Sequence, residues 1–407
     1  MNKPTVVCVT GPLGPHGSGY RIELERLGYS PWTASAHLYL MADVSRWLRD
    51  QGLEPASFDS AAVRQFLVDR RASGVVRRLT LQGLIPLLGY LRGLGVVPGP
   101  AEPEHDRPMD WLVEEFTGYL LSERGLSPRT VVGYQRVATQ FLATCPLEQQ
   151  TVAGEHRLPG LGGRQIKDFV LADSSRLSVG SLNNVVTALR SLMRFSYFKG
   201  YTPNSLADAV PHAATWRDSG RSRALPAADV KLLLASCDRR TAVGRRDFAI
   251  LTMLSRLGLR AGEVASLRLD DVDWRVGEIV VRGKGSRLDR LPLPVDAGQA
   301  LADYCRRGRV SHGDRHLFLL ARAPYTEVSS SVVSHVVVRA SKRAGLATVR
   351  AHRLRHSSAT AMRRAGAPLF EIGQVLRHRH TITTAVYAKD DLDALATIAR
   401  VWPGTQP

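Results

Sequence analysis

Apolar residues recur every three to four positions through most of this chain, the spacing that lays one apolar stripe along an α-helix. The stretch RLGYSPWTASAHLYLMADVSRWL at 26–48 has that period, and so does RGLSPRTVVGYQRVATQFL at 124–142. Both carry Gly, Ser-Pro and Thr at matching places ahead of the apolar run. Ser30 and Ser127 are suited to cap their helices, with Pro31 and Pro128 at the first helical position, where a missing N–H costs nothing. The likeness continues downstream. VRQFLVDRR (63–71) parallels IKDFVLADS (166–174), and LLGYLRGLGVVP (87–98) parallels LMRFSYFKGYTP (192–203). The pattern predicts two similar all-helical blocks in tandem.

Beyond residue 225 the pattern changes. Helical periods at 245–258 and 261–267 give way to two short strands, GEIVVRG (277–283) and RLPLP (290–294), around a Gly-Lys-Gly turn. Helical periods return at 296–307, 330–345, 353–365 and 369–376. Two Pro-containing seams, at 96–110 and 200–226, separate the blocks. The expected fold is mainly α with a small antiparallel β-sheet in the C-terminal block. The expected domains are 1–103, 108–205 and 220–407, each long enough to bury a core.

Charge sharpens this division. The net charge of +18 is unevenly spread: residues 1–216 hold 22 Lys and Arg against 19 Asp and Glu, whereas residues 217–407 hold 33 against 18. A field concentrated in one block favours a polyanion through counterion release and faster encounter. Only seven of the 55 cations are Lys, a bias that explains the preference for Arg but not the asymmetry. Cys8, Cys145, Cys237 and Cys305 are scattered, with no CxxC pair, and read as reduced thiols. The N-terminus lacks the apolar run of a signal peptide, and no stretch reaches the length of a membrane span. These features lead to the expectation of a cytoplasmic protein.

Within the basic block, several side chains suit phosphodiester chemistry. His352 and Arg355 are three apart at the start of a helical period, so they share a face near a helix N-terminus, which favours an anion. Arg260 precedes Glu263 by three; it reads either as a surface ion pair or as a bidentate clamp oriented by that carboxylate. Lys284 sits in the hairpin turn, where a mobile ammonium can reach a leaving-group oxygen. His378 and Tyr387 follow in order. His352 and His356 have zinc-like i, i+4 spacing, but the HExxH glutamate is absent, since Arg353 stands there, and no third ligand is near. No P-loop and no acidic metal cluster is present, so neither a nucleotide nor a metal cofactor is expected.

Taken in order, GLRAGE around Arg260, the hairpin Lys284, HRLRH at 352–356 and LRH followed nine residues later by Tyr387 resemble the tyrosine recombinase, or phage integrase, family. The resemblance covers about residues 225–392. It extends more weakly to the second block, which it implies is a SAM-like, core-binding helical domain, and the first block would be a second module of that type. It implies cleavage and rejoining of double-stranded DNA through a 3′-phosphotyrosyl bond, by a homo- or hetero-tetramer. Tyr387 would be the nucleophile, Arg260 and Arg355 the phosphate clamps, Lys284 the general acid, His352 the acid or base near the tyrosine, and His378 a phosphate donor. Integration or transposition of a mobile element follows as the expected setting. Two other readings compete: an accessory DNA-binding paralogue and a type IB topoisomerase-like enzyme. One departure stands out, because Arg377 occupies a place where the family usually has Gly; this leads us to expect added charge near the DNA backbone.

Overall fold

The computed structural model describes residues 7–74, 80–99, 109–145, 150–152, 155–158, 161–212, 224–283, 287–310 and 313–377. Two compact units result: residues 1–99 together with 221–407, and residues 100–220.

In the first unit, α1 (Gly17–Arg26), α2 (Pro31–Asp50), α3 (Ser60–Ala72) and α4 (Leu81–Gly93) gather an apolar core that includes Leu24, Leu38, Met41, Phe58, Phe66 and Leu88. The loop at Gly28 lies against Tyr325 of the same unit, where a Cβ on residue 28 would fall 2.7 Å from a ring carbon. The second unit contains α5 (Asp110–Ser122), α6 (Pro128–Leu142), α7 (Gly163–Ser174) and α8 (Val179–Phe198) around Phe116, Phe141, Leu189 and Phe195.

The parallel between the two blocks extends to atoms. Ser30 caps α2, accepting from the Thr33 N–H at 3.3 Å while its hydroxyl lies 2.9 Å from that of Thr33. Ser127 caps α6 in the same way, at 3.4 Å and 2.8 Å from the two groups of Thr130. After α4 the Val96 N–H donates to the Leu91 carbonyl at 3.0 Å; after α8 the Tyr201 N–H donates to that of Ser196 at 2.8 Å. One difference from expectation appears. The second block is not all helical, because β1 (Gln150–Val152) pairs antiparallel with β2 (Glu155–Arg157). Thr151 and Val152 are β-branched, and this segment carries no 3.6-residue period to hold it helical.

The C-terminal block is organised around α10 (Ala242–Arg256), which has buried positions on all sides, among them Ile250, Leu251, Met253 and Leu254. Around it pack α9 (Ala227–Ala235), α11 (Ala261–Ala265), α12 (Val295–Arg307), α13 (Ser330–Arg343) and α14 (Ala351–Arg364), and α15 (Leu369–Val375) follows α14. The sheet runs β3 (Val272–Asp273), β4 (Glu278–Arg282), β5 (Leu288–Pro292), antiparallel throughout. Alternation in β4 turns Ile279 and Val281 into the core, and Ile279 pairs with Leu291. The second strand of this hairpin thus begins two residues earlier than the sequence pattern suggests. Pairing with β4 fixes its extent, and Pro294 already caps α12. Among the described residues, no helix is long and apolar enough to cross a membrane.

Candidate active site

A cavity of about 610 Å³ opens between the start of α14, the face of α13 and the segment that joins α10 to α11. Arg260, Arg350 and Arg355 line it, as do His335 and His352, while Leu259, Val338 and Ala351 supply its apolar walls. Among the described residues, none that lines it is a carboxylate. Exposed arginines on a concave surface make an anion site, and Arg260 and Arg350 offer theirs here.

The local sequence explains each position. Gly258 ends the turn after α10 with φ +59°, a backbone that a Cβ disfavours, and an added Cβ would also sit 2.6 Å from Leu376 Cδ2. This turn sets Arg260 at the N-cap of α11, just ahead of the helical period at 261–267. Glu263, one turn on and buried, accepts the Arg260 backbone N–H at 2.8 Å and its Nη1 at 2.7 Å. The ion pair that the spacing predicts is therefore formed, with the Arg260 side chain still 43 % exposed.

Arg355 is only 1 % exposed. Its Nη1 donates to the Gly258 carbonyl at 2.5 Å and its Nη2 to the Leu376 carbonyl, so it ties the turn before Arg260 to the end of α15. His352 stands one turn N-terminal on the same face of α14. Its ring reaches solvent on one side, yet protein crowds the remainder. That partial desolvation, followed by the charges of Arg355 and Arg260, holds its pKa below the usual 6.5. The imidazole is thus biased toward its neutral form.

Arg377 departs from expectation. It follows α15 with a left-handed φ of 56°, rare for a residue with a side chain. Its guanidinium turns inward, 5 % exposed, and donates Nη2 to Glu263 Oε2 at 2.7 Å and Nη1 to the Val375 carbonyl at 2.9 Å. The charge expected near a DNA backbone is instead buried against a carboxylate, because Glu263 offers it a partner. Burial works against ionisation of Glu263, but the charge of Arg377 and the hydrogen bonds from Arg260 outweigh it and bring the carboxyl below its usual range.

The structure therefore brings Arg260, Glu263, His352 and Arg355 together. Lys284, His378 and Tyr387 lie outside the described residues. Sequence reasoning missed Arg350 and His335 as wall residues, the inward Arg377, and the role of Gly258. Only Gly258 left a readable signal, as the glycine after a helical run. Among the described residues, Asp314, His316 and Glu327 bring metal-ligand atoms within 4.8 Å of one another. Asp314 Oδ1 is already bonded to the His316 backbone N–H and ring Nδ1 (2.8 and 2.7 Å), and none of the three lines the cavity.

A profile of the phage integrase family matches residues 223–393, which include the whole cavity. The putative integrase/recombinase y4rA of Sinorhizobium fredii is 39 % identical over 384 residues, 93 % of this chain and 91 % of the relative. The chain belongs to the phage integrase family. It is a tyrosine recombinase, an enzyme of DNA strand breakage and rejoining. A second Sinorhizobium fredii integrase/recombinase, y4rF, is 31 % identical across 97 % of the recombinase and 92 % of its own length. The tyrosine recombinase XerD of Mycobacterium tuberculosis is 29 % identical over 317 residues, 72 % of this chain and 97 % of its own. The fold matches a lambda integrase dimer bound to a COC′ core site, with TM-score 0.55 and 17 % identity over 73 % of this chain and 98 % of that one. A Tn1549 transposon integrase in complex with circular intermediate DNA matches with TM-score 0.52 and 18 % identity, over 71 % and 99 % of the two chains.

Proposed function

We propose that this recombinase cuts and reseals double-stranded DNA at a specific site through a 3′-phosphotyrosyl intermediate. The observation that carries the reading is the cavity lined by three arginines and two histidines, with no carboxylate among its described lining residues. Arg260 and Arg355 would hold the non-bridging oxygens of the scissile phosphate, and the negative charge that builds on those oxygens in the transition state strengthens such contacts. The Tyr387 oxygen attacks phosphorus, its phenolic proton passing to the neutral His352. The bond to the 5′-oxygen breaks, and Lys284 gives that oxygen a proton, with His378 a further donor to the phosphate. The reverse steps, with a 5′-hydroxyl as the attacking group, reseal the strand. The tyrosyl phosphodiester conserves the bond energy, so the scheme calls for neither nucleotide nor metal.

The two similar helical blocks suit additional grip on the duplex, and a division into 1–103, 108–205 and 220–407 fits this use. A tetramer that holds two duplexes is the assembly we propose, supported by the likeness to a lambda integrase tetramer bound to a Holliday junction (TM-score 0.54). Movement of a mobile element is the proposed setting, supported by the likeness to the transposon integrase.

The test is a nicked suicide duplex built from the ends of the element, followed for a covalent protein–DNA adduct. Wild-type recombinase is expected to form the adduct in EDTA, and Tyr387→Phe to form none. An adduct that survives Tyr387→Phe would overturn the nucleophile assignment. Absence of adduct from wild type would favour an accessory DNA-binding role, and relaxation of any supercoiled plasmid would favour a topoisomerase.

A further inference from the structure

Arg260, Glu263 and Arg377 form one buried-to-exposed chain of charge. Glu263 sits between two guanidinium groups, 2.7 Å from each, and also accepts the Arg260 backbone N–H. Among the described residues Glu263 is the carboxylate paired with both arginines, so the trio carries a surplus of one positive charge. The geometry decides where this surplus appears. The Arg377 side chain is 5 % exposed and is not among the residues that line the cavity, whereas that of Arg260 is 43 % exposed and lines it.

We propose that Arg377 is a positioning residue: by engaging Glu263 from behind, it leaves the charge of Arg260 available to an anion in the cavity. Without Arg377, Glu263 would neutralise Arg260 alone, and a buried carboxylate with one cation holds that cation closely. The Arg260 fork would then turn toward Glu263 and offer less field to a phosphate. The backbone supports a selected role for this side chain. A left-handed φ of 56° disfavours any residue with a Cβ, and glycine would relieve it. Arginine is held there by what its guanidinium reaches. The same residue fixes the end of α15 to the N-cap of α11, immediately before His378.

The inference rests on the proposed phosphate-handling role of the cavity, so two measurements separate the two ideas. The first is the initial rate of adduct formation at saturating DNA, on a normal scissile phosphate and on a neutral methylphosphonate at the same position. Arg377→Met and Arg377→Gly are both expected to slow the normal substrate about tenfold or more, as for loss of one electrostatic contact. On the methylphosphonate the deficit should shrink to within about twofold, because the group no longer carries the charge that Arg260 meets. Arg377→Lys, which keeps the charge without the fork, should recover part of the rate. The second measurement is inorganic phosphate binding, followed at the His352 imidazole by NMR, where both variants should weaken affinity several-fold. Equal deficits on the two substrates would mark a merely structural role and overturn the inference, as would an unimpaired Arg377→Gly. Wild type that forms no adduct, while phosphate affinity still depends on Arg377, would sink the recombination chemistry and leave the positioning role standing.

Discussion

At the scale of single residues, Gly258 and His352 carry the sharpest consequences. Gly258 combines a left-handed backbone with a neighbour 2.6 Å from where a Cβ would sit. Gly258→Ala should therefore cost about 2–3 kcal/mol in a denaturant titration, from backbone strain plus the shift imposed on Leu376. A cost near zero would mean that the turn relaxes freely. His352 has its pKa held below 6.5, so in the folded protein it stays neutral where the unfolded chain already takes up a proton. Stability should accordingly fall as pH drops below 6.5, since the unfolded state binds the extra proton first. If neutral His352 accepts the tyrosine proton, adduct formation at subsaturating DNA should decline toward acid with its midpoint below pH 6.5. His352→Gln should flatten that acid limb. A midpoint above 6.5 would assign the titration to another group.

At the scale of elements, the sequence was legible wherever local chemistry decides structure. Serine caps with proline behind them, apolar periods and the hairpin of β4 and β5 all follow from neighbours a few residues apart, and their boundaries lie within about two to three residues of expectation. Ser30→Ala and Ser127→Ala should each lower stability by about 1 kcal/mol, the usual worth of such a cap. Equal losses, read by thermal unfolding, are expected because the two caps share the same geometry. What the sequence did not disclose depends on residues far apart. The β1–β2 pair has no strong alternation to announce it. Nothing near Arg377 in the sequence reveals that its partner is Glu263, 114 residues away. The spacing of His352 and Arg355 placed both on one face, yet the burial of Arg355 against two backbone carbonyls follows from packing alone.

At the scale of the whole molecule, charge and cavity point the same way. The surplus of cations falls in the block that holds the cavity lined by Arg and His side chains. Duplex binding should therefore be strongly salt-dependent: with about six to ten phosphate contacts, affinity would drop by about 10³–10⁵ between ~50 and ~200 mM salt. A shallow slope in filter binding would mean that few phosphates are neutralised and that the basic block has another use.

Arg355 also bears on when this enzyme becomes dangerous to DNA. Its two acceptors are Gly258, 97 residues before it, and Leu376, 21 residues after it. A chain still emerging from the ribosome has Arg260 and Arg355 in hand before it has the end of α15. Until that end arrives, one arm of a fully enclosed guanidinium lacks its carbonyl, and an enclosed charge left so is strongly disfavoured. The setting of Arg355 is thus completed only when the end of α15 has been made. A chain cut short before Leu376 should therefore leave this part of the cavity wall unfinished.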